Sequence, residues 1–190
     1  MTPDLRALVL FADSSLHRSR ISHRIADALA GLPGVQVQDL YQLYPDFYID
    51  VRRERELLKA APLVVFVFHL GWYAMPALLK EWVDSVFKPA WAAAKPGRLA
   101  GKRAFAAVAC AGSALDYRPG GPHGRPVADY LAPLAQSASA CGMDWLAPHV
   151  FYEADAPDGG AAGRHAEALR ALLVRLAGGA DDARGGADGT

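Results

Sequence analysis

The chain has little cysteine, no charge of one sign in excess, and no long apolar run. Its 190 residues hold two cysteines, Cys110 and Cys141. They lie far apart and form neither a CxxC nor a Cys/His ligand pattern, so two buried reduced thiols are expected rather than a disulfide scaffold. Six histidines form no HExxH pattern, and no metal is expected. Lys+Arg and Asp+Glu balance at 20 each, which gives no basis for bulk attraction to nucleic acid or an acidic membrane. No apolar stretch approaches the ~18–20 residues that span a bilayer, and the first residues show no signal-peptide pattern. The expected location is cytoplasmic. A G-x-G-x-x-G is also lacking after the first apolar run, which argues against a dinucleotide-binding Rossmann fingerprint.

What the sequence does contain is alternation. Apolar runs at Arg6–Ala12, Val35–Leu40, Leu63–Phe68, Lys102–Cys110 and Met143–Phe151 alternate with five helical patterns. The helical stripes are Ile21, Ile25, Ala28, Leu29 and Leu32; the charged segment Val51–Ala60; Leu78, Leu79, Trp82, Val83, Val86 and Phe87; Val127, Tyr130, Leu131, Leu134, Ala138 and Cys141; and Leu169, Leu172, Leu173 and Leu176. Pro76 suits a first helical position, and Pro133 is expected to bend the fourth helix. This is an α/β chain: a flavodoxin-like three-layer sandwich around a five-stranded parallel sheet of order 2-1-3-4-5, in one domain over residues 1–177. The thirteen residues Gly178–Thr190 hold five glycines and no large apolar side chain, so a disordered tail is expected there.

Ligands of open α/β sheets bind at the carboxyl ends of strands. Three loops fall there. The first, Asp13–Ser22, is rich in hydroxyls and carries His17, Arg18 and Arg20 before a helix, a pattern suited to an anion; Ser19 or Ser22 acting only as a helix cap is the alternative. The second, His69-Leu70-Gly71-Trp72-Tyr73, places two aromatics at a strand-to-helix turn, as walls for a flat ring or as core aromatics. The third, Ala111–Gly124, is long and glycine-rich, and its Tyr117 and His123 are a pair able to handle a proton near neutral pH. The segment Tyr41–Asp50 holds four aromatics, Tyr41, Tyr44, Phe47 and Tyr48, which suit an interface or a satellite core under the loop.

Two segments carry a family resemblance. Asp39-Leu-Tyr41-Gln-Leu-Tyr44-Pro45-Asp46-Phe47-Tyr-Ile49-Asp50 and the pattern Trp72, Tyr73, Pro76, Leu79, Lys80, Trp82, Asp84 resemble the flavodoxin-like NAD(P)H:quinone oxidoreductases. They are most similar to the ancillary subunits of glutathione-gated potassium-efflux systems. The resemblance implies FMN or FAD as cofactor, NAD(P)H as co-substrate, and hydride transfer through flavin N5 to a quinone-like acceptor. It also implies a homodimer and a potassium-efflux antiporter partner, which would bring the protein to the inner membrane peripherally. Trp72 and Tyr73, with His69, Leu70 and Gly71, would then contact the isoalloxazine ring. Ser19 and Ser22 would lie by the flavin phosphate, and Gly112 and Ser113 by the ring's polar edge. Tyr117 and His123 have the family spacing of a pair that balances charge on the reduced flavin.

The chain departs from the family pattern in these same loops. Asp13 stands where a phosphate-facing His is usual, Ser22 where Asn is usual, and His69 where proline is usual. Ala109-Cys110-Ala111-Gly112 replaces T-T-G-G. The alternative function is therefore a flavin-poor regulatory subunit of the antiporter.

Overall fold

The computed structural model describes residues 5–13, 20–94, 97–154 and 159–182. Strands β1 (Ala7–Ala12), β2 (Val35–Asp39), β3 (Leu63–His69), β4 (Arg103–Ala109), β5 (Asp144–Trp145) and β6 (His149–Phe151) form one parallel sheet. Its order is β2-β1-β3-β4-β5, with β6 also pairing β4. The fifth expected strand is thus two short ones, interrupted at Leu146–Pro148. Proline has no N–H to give the ladder, which accounts for a break there.

The helices are α1 (Arg20–Leu29), α2 (Leu40–Leu43), α3 (Val51–Ala60), α4 (Ala77–Val86), α5 (Pro89–Ala92), α6 (Val127–Tyr130), α7 (Ala132–Ala140) and α8 (Gly159–Asp182). Pro76 is the N-cap of α4 rather than its first residue, and its carbonyl accepts from Lys80 N–H at 3.0 Å. Pro133 does more than bend its helix. The helical segment divides at Leu131 into α6 and α7, with the proline in the first turn of α7, where its missing N–H needs no partner. Helix α8 extends to Asp182, five residues into the glycine-rich stretch, and residues 183–190 lie outside those described. Among the described residues no helix is long and apolar enough to cross a membrane.

Alternation along the strands feeds two cores, one on each face of the sheet. Leu8, Leu10, Val64, Phe66, Phe68, Ala104 and Ala106 point to the face covered by α3, α4 and α7. Ala7, Val9, Phe11, Leu63, Val65, Val67 and Phe105 point to the other face, covered by α1 and α8. Both faces are buried, which is why these strands read as continuous apolar runs. On the first face Trp82 is fully buried, edge-on to Phe66 with centroids 6.2 Å apart.

A buried charge sits in this core. Glu54 has no exposed surface, and it accepts from Tyr44 Oη at 2.6 Å, Trp82 Nε1 at 3.0 Å and Arg53 Nη1 at 2.8 Å. Arg53 Nη2 donates in turn to the buried Gln38 Oε1 at 2.7 Å. Burial and the neighbouring carboxylate push the Tyr44 hydroxyl up to about 12, so it remains a donor. The four aromatics of Tyr41–Asp50 accordingly divide. Tyr44 belongs to the core with Tyr41 packed against it, while Phe47 and Tyr48 are exposed.

Candidate functional site

Strands β1, β3 and β4 end side by side, so the loops that follow them share one edge. After β3 the chain makes a tight turn. Gly71 and Ala74 bridge in antiparallel fashion, and Ala74 N–H donates to Gly71 O at 3.1 Å. The two central residues are Trp72 at φ 48° and Tyr73 at φ 65°. Positive φ at both central positions is the mark of a type I′ turn, normally made by Asn and Gly. Two large L-residues there cost about 1–2 kcal/mol each. Strain of this kind persists where surrounding structure enforces it and is concentrated at functional sites. The turn also leaves Trp72 95% exposed and Tyr73 44% exposed.

Below the turn is a cleft of about 230 Å³, lined by Asp13, His69, Gly71, Trp72, Ala74, Met75 and Pro76. Asp13 ends the first strand's run into this edge and is buried. Leu70 faces inward instead, buried, with its N–H on Ala109 O at 2.8 Å. Of the two serines expected beside a phosphate, Ser19 lies outside the described residues. Ser22 is in α1, and its side chain is likewise outside the description.

The loop after β4 is folded tightly. Asp116 Oδ2 accepts from both the N–H and the hydroxyl of Ser113 at 2.7 Å, which holds its carboxyl below the usual carboxylate range, with His123 and Arg118 contributing. His123 N–H donates to Asp116 O at 3.1 Å, and Tyr130 Oη donates to His123 O. The Tyr117 ring lies against His123, with centroids 4.2 Å apart and 30° between planes. Burial, followed by the neighbouring Cys110, pushes the Tyr117 hydroxyl up to about 12. It therefore stays protonated near neutral pH, and its part is narrowed to giving a hydrogen bond. Burial likewise pushes the Cys110 thiol up to about 12, and that thiol donates to Phe151 O at 3.4 Å.

Gly112 is the bare floor of this cluster. A Cβ there would sit 2.8 Å from His123 Nε2, 3.1 Å from Tyr117 Cε2 and 3.3 Å from Asp116 Oδ2. No side chain fits without moving one of the three, so glycine is required by close approach.

The two loops meet. Tyr73 Oη is 3.2 Å from His123 Nδ1, and the Tyr73 ring stacks on Tyr130 with centroids 5.0 Å apart. The structure thus brings Tyr73, Gly112, Tyr117 and His123 into one cluster, next to the cleft of His69, Gly71 and Trp72. Ser113 is adjacent, but its N–H and hydroxyl are already engaged by Asp116. Asp116 and Tyr130 were not singled out from sequence. The Ser113-x-x-Asp116 spacing is a local side-chain-to-backbone pattern that points to the first. Tyr130 is hidden by its place in an apolar helical stripe.

Comparison with known proteins agrees with this architecture. A structure described as a thermophilic tryptophan halogenase from Streptomycin violaceusniger is 34% identical, with a TM-score of 0.80, covering 86% of this chain and 95% of that one. The general stress protein 14 of Treponema denticola, in complex with FMN, is 30% identical with a TM-score of 0.82, covering 90% and 99%. An NADPH-quinone reductase from P. pentosaceus, at 22% identity and a TM-score of 0.79, covers 89% and 98% and shares the fold. These names span more than one chemistry, so what the neighbours share is the architecture. The model of the flavodoxin-like fold family matches residues 6–176, and the chain belongs to that family.

Proposed function

We propose that the chain is a flavin-dependent NAD(P)H oxidoreductase that reduces quinones or similar two-electron acceptors. The observation that carries this reading is the strained Trp72–Tyr73 turn, which holds two exposed aromatics at the cleft and meets, through Tyr73 and His123, the loop of the bare Gly112. The 30%-identical relative in complex with FMN supports a flavin, and the motif resemblance supports NAD(P)H and a quinone.

The ring-side residues fit such a group. Trp72 offers an apolar face, and Gly112 lets a flat molecule approach the backbone where a Cβ would be refused. A bound flavin would supply the two-electron chemistry between NAD(P)H and the acceptor, with hydride transfer through its N5, and Trp72, Tyr73 and Gly112 would hold it. The protein's part is placement and proton management. Trp72 and Tyr73 wall the ring, Tyr117 offers a fixed hydroxyl, and His123 holds or releases a proton at the polar edge. The exposed Phe47, Tyr48 and Trp72 suit burial against a second copy, so a homodimer completes the proposal.

One observation favours a second reading, a flavin-poor regulatory subunit of a potassium-efflux antiporter. Asp13 places a buried carboxyl in the cleft, at the position where the family resemblance has a phosphate-facing residue. Two like charges 4 Å apart repel by ~4 kcal/mol at an effective dielectric near 20, enough to weaken binding by several orders of magnitude. Assay of the purified protein for quinone reduction with NADH and with NADPH, with and without added FMN or FAD, separates the two. FMN- or FAD-dependent turnover supports the enzyme; absence of turnover with every combination sinks it.

A further inference from the structure

The relation between Tyr73, Asp116 and His123 goes further than the placement of a ring platform. His123 is pinned at its backbone on both sides, by its own N–H to Asp116 O and by Tyr130 Oη to its carbonyl. Its ring is held between the face of Tyr117 and the hydroxyl of Tyr73. What remains to be fixed is which ring nitrogen carries the proton. Nδ1 faces Tyr73 Oη at 3.2 Å, whereas Nε2 faces the bare Cα of Gly112. A Cβ on Gly112 would also sit 3.3 Å from Asp116 Oδ2, which is held by its two bonds to Ser113.

We propose that Tyr73 and Asp116 are positioning residues that fix neutral His123 as the Nε2–H tautomer, with Tyr73 Oη donating to Nδ1 and the Asp116 carboxylate drawing the ring proton to the Nε2 side. Both partners favour the same form. A phenol is a good donor to an imidazole nitrogen, and a carboxylate beside the same Gly112 position that Nε2 faces favours a proton on that nitrogen. The other titratable and charged groups around the ring do not oppose this. Tyr117 is a buried, protonated phenol engaged with Cys110, Tyr130 is engaged by the His123 carbonyl, and Arg118 lies on the Asp116 side. The outcome is an N–H donor aimed over Gly112 into the space where a ligand approaches, so a hydrogen-bond acceptor is the ligand group that suits this edge.

This inference gives the strained turn a second task. A phenylalanine at position 73 would wall a ring equally well, but the Tyr73 hydroxyl reaches across to the other loop and sets the proton there. The use of that proton by a flavin rests on the proposed function; the tautomer itself does not.

The test uses the full chain, purified without flavin and labelled with ¹⁵N-histidine, at a pH where the imidazole is neutral. The His123 resonances are assigned with His123→Gln, and the Nδ1 and Nε2 shifts report the tautomer directly. The expected result is a dominant Nε2–H form in the wild type. A hydrogen bond of ordinary net strength biases the tautomer ratio roughly fivefold. Tyr73→Phe, which keeps the ring and its stacking on Tyr130, is therefore expected to lower the Nε2–H preference by about that factor, and Asp116→Asn to lower it too. A dominant Nδ1–H form in the wild type, or a ratio unmoved by both substitutions, would overturn the proposal. FMN titration of the same samples reports separately on the flavin reading, so the failure of one is distinguishable from the failure of the other.

Discussion

Trp82 Nε1 donates to Glu54 Oε2 at 3.0 Å, joining α4 to α3 through a carboxylate with no exposed surface. Tyr44 reaches the same carboxylate from the segment after β2. Helix α4 starts at Ala77, just after the strained turn, so the network anchors the helix that follows Trp72 and Tyr73 in the chain. Glu54→Gln keeps the shape but replaces an acceptor oxygen with an amide donor among three donors. The expected cost is about 2 kcal/mol, from one lost charge-assisted bond and one donor left unpaired. Urea unfolding measures it. A change under about 0.5 kcal/mol would show that the network adjusts freely.

Gly112→Ala tests the close approach in the loop after β4. The added methyl falls inside contact distance of His123 Nε2, so the imidazole must move. The loop can absorb part of this, and the stability cost is expected to be about 1–2 kcal/mol. FMN affinity is expected to fall by roughly tenfold or more, since that corresponds to only ~1.4 kcal/mol of lost interaction. An alanine variant that binds FMN as the parent does would show that the ligand does not approach Gly112.

The order of strands and the two apolar faces were legible in sequence because they rest on local signals. Leu63–Phe68 is an uninterrupted apolar run of strand length, and it lies in β3 with one further residue. The helix boundaries at Val51 and Ala60 follow from a charged amphipathic segment after Asp50, whose side chain accepts from Arg53 N–H at 3.0 Å. The Glu54 network was not legible, because two of its three partners are 10 and 28 residues away and nothing near Glu54 marks it as buried. At the site, residue types were readable but conformation was not. Trp72 and Tyr73 adopt a left-handed turn that their own preferences oppose, so only tertiary structure reveals it. Tyr117 and His123 were readable as the titratable pair of their loop, and the family resemblance added their spacing. Asp116, one residue from Tyr117, was missed because its role depends on Ser113 and Gly112 closing around it.

Acid sensitivity is expected from a pair outside the site. His149 in β6 and His165 in α8 have ring centroids 5.9 Å apart, and His149 Nε2 and His165 Nδ1 are buried without hydrogen-bond partners among the described residues. Burial lowers both below the ordinary value of 6.5, with each ring's positive neighbours contributing: His165 for His149, and Arg164 for His165. In the unfolded chain these rings take up protons at a higher pH than in the fold. Stability is therefore unaffected by them above about pH 6.5 and falls as pH drops from there toward the folded values. The thermal midpoint should decline on acidification through this window, and His149→Leu should flatten the decline. Equal slopes in the variant and the parent would remove the pair as its cause.

Asp13 is the residue on which the two functional readings divide. Asp13→Asn removes the charge and leaves the shape of the cleft lining. If the phosphate of a flavin enters on this side, FMN binding should tighten by tenfold or more. Unchanged affinity would show that Asp13 points its charge away from the ligand and does not limit binding.

Flavin binding at the edge formed by Trp72, Tyr73, Gly112 and His123 is open to a direct test. Titration of the purified chain with FMN, followed by the visible spectrum and by quenching of flavin fluorescence, addresses it most directly. Saturable binding with a perturbed flavin spectrum is expected, with an affinity that Trp72→Ala lowers by roughly tenfold or more. No binding at tens of micromolar FMN or FAD, or saturable binding that Trp72→Ala leaves untouched, would contradict it.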